Sequence, residues 1–116
     1  METRAPSPFD PSLVNVDVVT SYLARHSRPT DGQYTFAYTI TIRNSGNQAV
    51  QLLSRHWIIT DAEGAQQEVR GEGVVGEQPV IQPEAYFRYT SGTTLATPVG
   101  FMEGSYTMVT RTGGAP

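Results

Sequence analysis

The sequence predicts an all-β domain, an antiparallel β-sandwich of about seven short strands, and three observations carry that prediction. Tyr34, Phe36, Tyr38, Ile40 and Ile42 recur at strict period two, with Thr35, Thr39, Thr41 and Arg43 in the opposite phase. Turn-forming clusters interrupt the chain roughly every ten residues. Nowhere do apolar residues recur at helical spacing for three turns.

Taken in order, residues 1 to 12 hold three prolines among small polar residues and read as a disordered arm, leaving residues 13 to 116 as one sandwich domain. Val14, Val16 and Val18 alternate with Asn15 and Asp17, which predicts a half-buried strand running towards Tyr22 and Leu23. Arg25 to Gly32 is a polar loop closing on an Asp-Gly turn signal. The Tyr34–Ile42 alternation gives the second strand, because a slip of one residue would expose the whole apolar set. Asn44 to Asn47 turns the chain into a third strand, Val50 to Thr60, apolar in both phases at Trp57, Ile58 and Ile59 and hence central or bent. Asp61 to Gly64 reads as a hairpin loop, and Gln66 to Arg70 as a short polar strand at an edge. Val80-Ile81 and Ala85 to Thr90 follow as strands, and Ser91-Gly92-Thr93-Thr94 as a turn. Val99 to Met102 and Ser105 to Thr110 read as two strands parted by Glu103-Gly104. Arg111 to Gly114 has the composition of a hairpin turn with no returning strand behind it, so an open sheet edge, and a monomer or weak dimer, are expected.

At 116 residues the chain has the length of a single domain that buries roughly two-thirds of its unfolded surface. A net charge of −3, with all eight basic residues arginine and scattered from Arg4 to Arg111, argues against nucleic acid as a partner, since phosphate neutralisation supplies most of that affinity. No apolar run approaches the ~18 residues of a membrane helix, and Met1 to Pro8 lacks the apolar core of a secretory signal. Cysteine is absent, which excludes disulfides and thiolate metal sites and fits a reducing, cytoplasmic location.

The candidate chemistry centres on Gly71, Glu72, Gly73, Val74, Val75, Gly76, Glu77, Gln78 and Pro79, where three glycines stand at the G-x-G-x-x-G spacing. A phosphate cradle of that type needs a helix N-terminus after it, and Pro79 and Pro83 oppose a helix. Glu72 and Glu77 would each repel a phosphate oxygen 4 Å away by about 1 kcal/mol in water and about 4 at an effective dielectric of 20. Backbone geometry is therefore the better account of the glycines. For metal, Asp61 and Glu63 offer oxygens to a hard cation such as magnesium and His56 an imidazole to cobalt, so at most a weak divalent cation site is expected. Ser54 and His56 share a strand face, ~6.6 Å apart, without an orienting carboxylate evident nearby, which argues against an enzyme. Tyr86 and Phe87 stand in opposite phase, so one of these rings faces outwards; together with Arg55, His56 and Trp57, Tyr86 forms the candidate protein interface.

Arg55-His56-Trp57 with Asp61, the run from Val69 through Gly76-Glu77-Gln78-Pro79, Tyr89-Thr90-Ser91-Gly92 and Gly104-Ser105-Tyr106-Thr107-Met108 together resemble the ApaG family, over about residues 14 to 109. The resemblance implies a fibronectin-type-III-like sandwich in a small bacterial protein, whose gene commonly accompanies a diadenosine tetraphosphate hydrolase. It further implies a genetic link to cobalt resistance and magnesium efflux, and a domain shared with some eukaryotic F-box proteins that serves protein recognition. No enzymatic activity comes with it. Members of the family usually continue past the position of Val109 with a further strand containing phenylalanine and proline, whereas this sequence stops at Pro116. Two functional expectations stand side by side: a non-enzymatic module that binds a protein partner, and a cation- or nucleotide-responsive sensor using the acidic loops or the glycine loop.

Overall fold

The computed structural model describes residues 10 to 111; the expectations for the N-terminal arm up to residue 9 and for the turn at residues 112 to 114 lie outside them. Seven strands make up the described chain: β1 (Val14–Tyr22), β2 (Tyr34–Asn44), β3 (Ala49–Asp61), β4 (Gln66–Glu72), β5 (Val80–Ile81), β6 (Tyr86–Leu95) and β7 (Gly100–Arg111). Single turns of 3₁₀ helix at Pro11–Leu13, Ala24–His26 and Pro29–Asp31 are the only helical pieces described, and no helix among the described residues is long and apolar enough to cross a membrane.

The strands form two antiparallel sheets stacked as a sandwich. The first has the order β1-β2-β6, and the second is built on β3, with β7 along one side and β4 and the short β5 sharing the other. The alternation in β2 places Tyr38, Ile40 and Ile42 in the core, all essentially inaccessible. Its opposite face is a hydroxyl ladder across to β6, with Thr35 and Thr39 each 2.9 Å from Thr94 and Thr90. Such directly opposed threonines are one of the cross-strand pairs that stabilise a sheet by about 0.2–1 kcal/mol each. Val50, Leu52 and Trp57 of β3, Tyr89 of β6, Ile81 of β5 and Val74 from the glycine-rich connection complete the core.

Three local expectations are corrected. Ser91 to Thr94 is not a turn but the second half of β6, because the eleven-residue β2 pairs through its full length, Tyr34 with Leu95 to Arg43 with Tyr86. Glu103 and Gly104 do not divide two strands; β7 runs unbroken, and Gly104 lies opposite Trp57 where a Cβ would overlap the His56 carbonyl and stand 2.9 Å from Trp57 Cα. Strand β1 is not half-buried: Val16 and Val18 remain 41% and 37% exposed although they pair with the fully buried Ile42 and Ile40 and so share their face. They sit at the rim of the first sheet and lack the cover that the second sheet gives to β2.

Asn44 ends β2 fully buried and fully bonded. Its amide donates to the carbonyls of Gln48 (2.8 Å) and Ile81 (3.0 Å), and its side-chain oxygen accepts from the Gly46 N–H. The β2–β3 turn is thereby tied to β5.

Candidate functional site

The G-x-G-x-x-G segment connects β4 to β5 as a closed miniature hairpin. Val74 and Glu77 exchange both backbone hydrogen bonds, at 2.8 and 2.9 Å, around Val75 and Gly76. Both central residues have positive φ, 44° at Val75 and 81° at Gly76, and Gly73 before them is at 63°. Two central residues of positive φ characterise the type I′ turn, for which Asn-Gly is the favoured pair. Here the first position holds a β-branched valine, for which positive φ is an outlier. Neighbouring side chains then part company: Val74 is wholly buried in the core, and Val75 is 56% exposed at the tip.

The anchor for this loop is an irregularity in β3. The pairing of β3 with β7 slips by one residue between Leu52 and Ser54, leaving Leu53 as a β-bulge whose carbonyl is free of that ladder. That carbonyl accepts from the Gly73 N–H (2.7 Å) and the Gln78 side-chain amide (2.9 Å). On the other side the Leu52 N–H donates to the Pro79 carbonyl (3.0 Å), and Gln51 donates to that of Gln78 (2.9 Å). Arg55 is drawn under the loop, where Nη1 donates to the Gly73 carbonyl (2.6 Å) and more distantly to that of Glu72 (3.3 Å). Its guanidinium lies flat on Gly71, within 3.2 Å of where a Cβ would be.

This accounting decides what the loop can do. The amides of Gly73, Val74 and Glu77 are all spent inside the protein, the Arg55 charge is turned onto carbonyls, and Glu72 and Glu77 stand exposed on either side. An anion would meet two carboxylates and none of those three amides. What the loop presents outward is a rigid apolar knob, Val75, flanked by negative charge.

The remaining candidate residues are dispersed. Trp57 is buried, edge-on to the Tyr106 ring at 5.8 Å, and Arg55 is half-buried with Nη1 engaged by the loop carbonyls, so Trp57 offers no exposed surface to a partner. The bulge shifts the phase of β3 and turns both inwards. His56 is on the outer face of the second sheet, with Nε2 2.6 Å from Glu68 and Arg70 closing the cluster at 3.0 Å from the same carboxylate. The hydrogen bond from His56, followed by that from Arg70, holds the Glu68 carboxyl below the usual carboxylate range. Sequence reasoning missed this orienting carboxylate because it comes from the paired strand β4, diagonally across the register; no hydrogen bond joins Ser54 to His56. Tyr86 is 51% exposed on the opposite sheet, with the guanidinium carbons of Arg88 and Arg43 5.0 and 5.2 Å from its ring centre, where a cation–π attraction operates. Asp61 is largely buried and accepts the N–H groups of Glu63 and Ala65, at 2.9 Å each, which makes it a brace of the β3–β4 hairpin. The structure does not bring Asp61, Glu63 and His56 together, and no group of three or more potential metal ligands occurs among the described residues.

Comparison with known proteins gives a consistent answer. Residues 24–110 match the family model described as the ApaG domain. A relative named Protein ApaG from Thiobacillus denitrificans is 58% identical over 100 residues, which cover 86% of this chain and 79% of the relative. A protein of the same name from Pseudomonas paraeruginosa is 62% identical over 96 residues, covering 83% and 76% of the two chains. Among solved structures, the putative ApaA protein from Bordetella pertussis superposes with a TM-score of 0.83 at 50% identity, covering 86% of this chain and 81% of that one. A second X-ray structure, of a structural-genomics target, gives 0.81 at 53% identity, covering 88% and 77%.

Proposed function

The chain belongs to the ApaG family, and from that premise we propose that it is a cytoplasmic, non-enzymatic binding module that grips a protein partner through the tip of the Gly71–Pro79 loop. The observation that carries this reading is Val75. A non-glycine residue held at positive φ stores on the order of 1–3 kcal/mol, and such strain collects at functional positions. Nothing in the local packing requires valine there, because the side chain is more than half exposed and its neighbour Val74 supplies the core contact. An exposed apolar knob on a loop locked by its own hydrogen bonds suits a partner with an apolar socket and a basic rim facing Glu72 and Glu77, and a preformed loop loses little entropy on docking. Cobalt resistance and magnesium efflux, on this reading, are reached through the partner and not through a metal bound to this chain.

The test separates stability from recognition. Val75→Asn supplies the residue a type I′ turn prefers, so it should raise stability by about 1 kcal/mol in chemical denaturation. The same change removes the knob, and should weaken retention of the partner from a bacterial lysate by tenfold or more, as should Val75→Asp. Unchanged retention by both variants would sink the reading.

A further inference from the structure

Strand alternation sets Arg43, Tyr86 and Arg88 side by side on the outer face of the first sheet. Arg43 and Tyr86 are register partners on β2 and β6, and Arg88 follows two residues along β6, while Ile42 and Tyr89, in the opposite phase, are buried in the core. Both guanidinium carbons stand over the same ring, 5.2 Å (Arg43) and 5.0 Å (Arg88) from its centre. The Arg88 Nε donates to the Thr41 hydroxyl at 2.9 Å, which fixes that side chain and leaves its two terminal nitrogens without a partner among the described residues. The ion pairs among the described residues both fall on Glu68, so neither arginine is matched by a carboxylate. Asp17, opposite Thr41 on β1, and Glu84, in the turn before β6, pair with neither. Two like charges are thus gathered on one half-exposed ring, in a chain whose net charge is −3.

We propose that this face docks an extended acidic segment of another protein, with carboxylates at alternate positions seated on Arg43 and Arg88 across the Tyr86 ring. The spacing follows from the strands. Arg43 and Arg88 are diagonal neighbours on adjacent strands, ~7–8 Å apart. Side chains two residues apart in an extended segment stand ~6.8 Å apart on one side, which is the same interval. Each guanidinium offers a fork of N–H donors that matches a carboxylate, and tyrosine and arginine are the residue types that anchor protein interfaces. The shape favours a protein over a small anion. None of these residues lines either of the two grooves between the sheets, and a flat face cannot enclose a small ligand. A long polyanion such as nucleic acid fits poorly, because two arginines on a chain of net charge −3 neutralise too few phosphates. The patch belongs to the first sheet and the Val75 loop to the second, so it stands or falls independently of that loop.

The probe is a seven-residue peptide of serine and threonine with glutamate at its third and fifth positions, titrated onto the whole chain. NMR should show saturable amide shifts in β2 and β6 around Arg43, Tyr86 and Arg88, with a dissociation constant on the order of 1 mM at low salt. Raising the ionic strength to about 0.15 M should weaken binding severalfold. Glutamine in place of both glutamates should abolish it. Arg43→Gln and Arg88→Gln, both at exposed positions, should each weaken it about threefold, the scale of one exposed ion pair. The double variant Arg43→Glu, Arg88→Glu should reject the glutamate peptide and bind a lysine version, a reversal that a misfolded chain does not give. Val75→Asn should change nothing. Absence of saturable binding, equal binding of the glutamine peptide, insensitivity to both single arginine variants, failure of the charge reversal, or loss on Val75→Asn would each overturn the proposal. So would citrate binding as tightly as the peptide, which assigns the arginines to a small anion, or self-association that the double variant abolishes, which assigns the face to a second copy.

Discussion

Three glycines that look alike in sequence do different work. Gly73 combines φ of 63° with a close approach, since a Cβ would overlap the Glu77 carbonyl; Gly76 has φ of 81° and open space around it; Gly104 has an ordinary φ but lies against the β3 backbone beside Trp57. Alanine at Gly76 should therefore cost about 1 kcal/mol, the price of a left-handed L-residue. Alanine at Gly73 or Gly104 should cost more than about 2 kcal/mol, because backbone atoms have to give way. Denaturation midpoints of the three variants check the order. That Gly73 and Gly76 serve backbone geometry was legible, since Glu72, Glu77 and the prolines already spoke against an anion site. Gly104 was not: its constraint comes from a distant residue of the partner strand, and the pair Glu103-Gly104 reads locally as a break.

At the scale of elements, legibility follows how much of a strand's identity is its own. β2 declares itself by alternation, as does the β3–β4 hairpin by its turn residues. β6 declares only its first half, to Thr90, because Ser91-Gly92-Thr93-Thr94 is turn-like in composition, and the length of β2 and the Thr35–Thr94 contact hold that part extended. The same limit hid Asn44, which reads as an ordinary turn residue while its amide closes the β2–β3 turn onto Ile81. Replacing it by alanine leaves the Gly46 N–H and two carbonyls without their partner, and should destabilise by about 2–3 kcal/mol, most of it the desolvation of groups left unpaired. Asn44→Asp keeps the acceptor but buries a carboxylate against the carbonyls of Gln48 and Ile81, so its melting temperature at neutral pH should fall to that of Asn44→Ala or below.

Across the whole molecule, stability is distributed from the middle of each sheet outwards. β2 and β3 are paired on both sides and supply most of the buried side chains, while β1 and β7 each have an open edge among the described residues. Amide hydrogen exchange should be slowest in β2 and β3 and fastest in β1 and along the outer side of β7; equal protection in all four would mean that the edges are covered. The sandwich itself could be read from the chain. The site could not be assembled from it, because adjacency groups Arg55, His56 and Trp57, whereas the strand's alternation puts His56 on the opposite face from the other two and the Leu53 bulge decides which face is inward. That bulge also bears on modularity. The glycine hairpin hangs from a carbonyl two strands upstream in the sequence, and is clamped by an arginine two residues beyond it. Grafted onto another hairpin, residues 71 to 79 would arrive without their peg and should lose their shape; the smallest transferable unit is the hairpin together with Gln51 to Arg55. A change of length in either stretch would therefore unseat the other, so the two segments, fifteen residues apart in the chain, behave as one mechanical part.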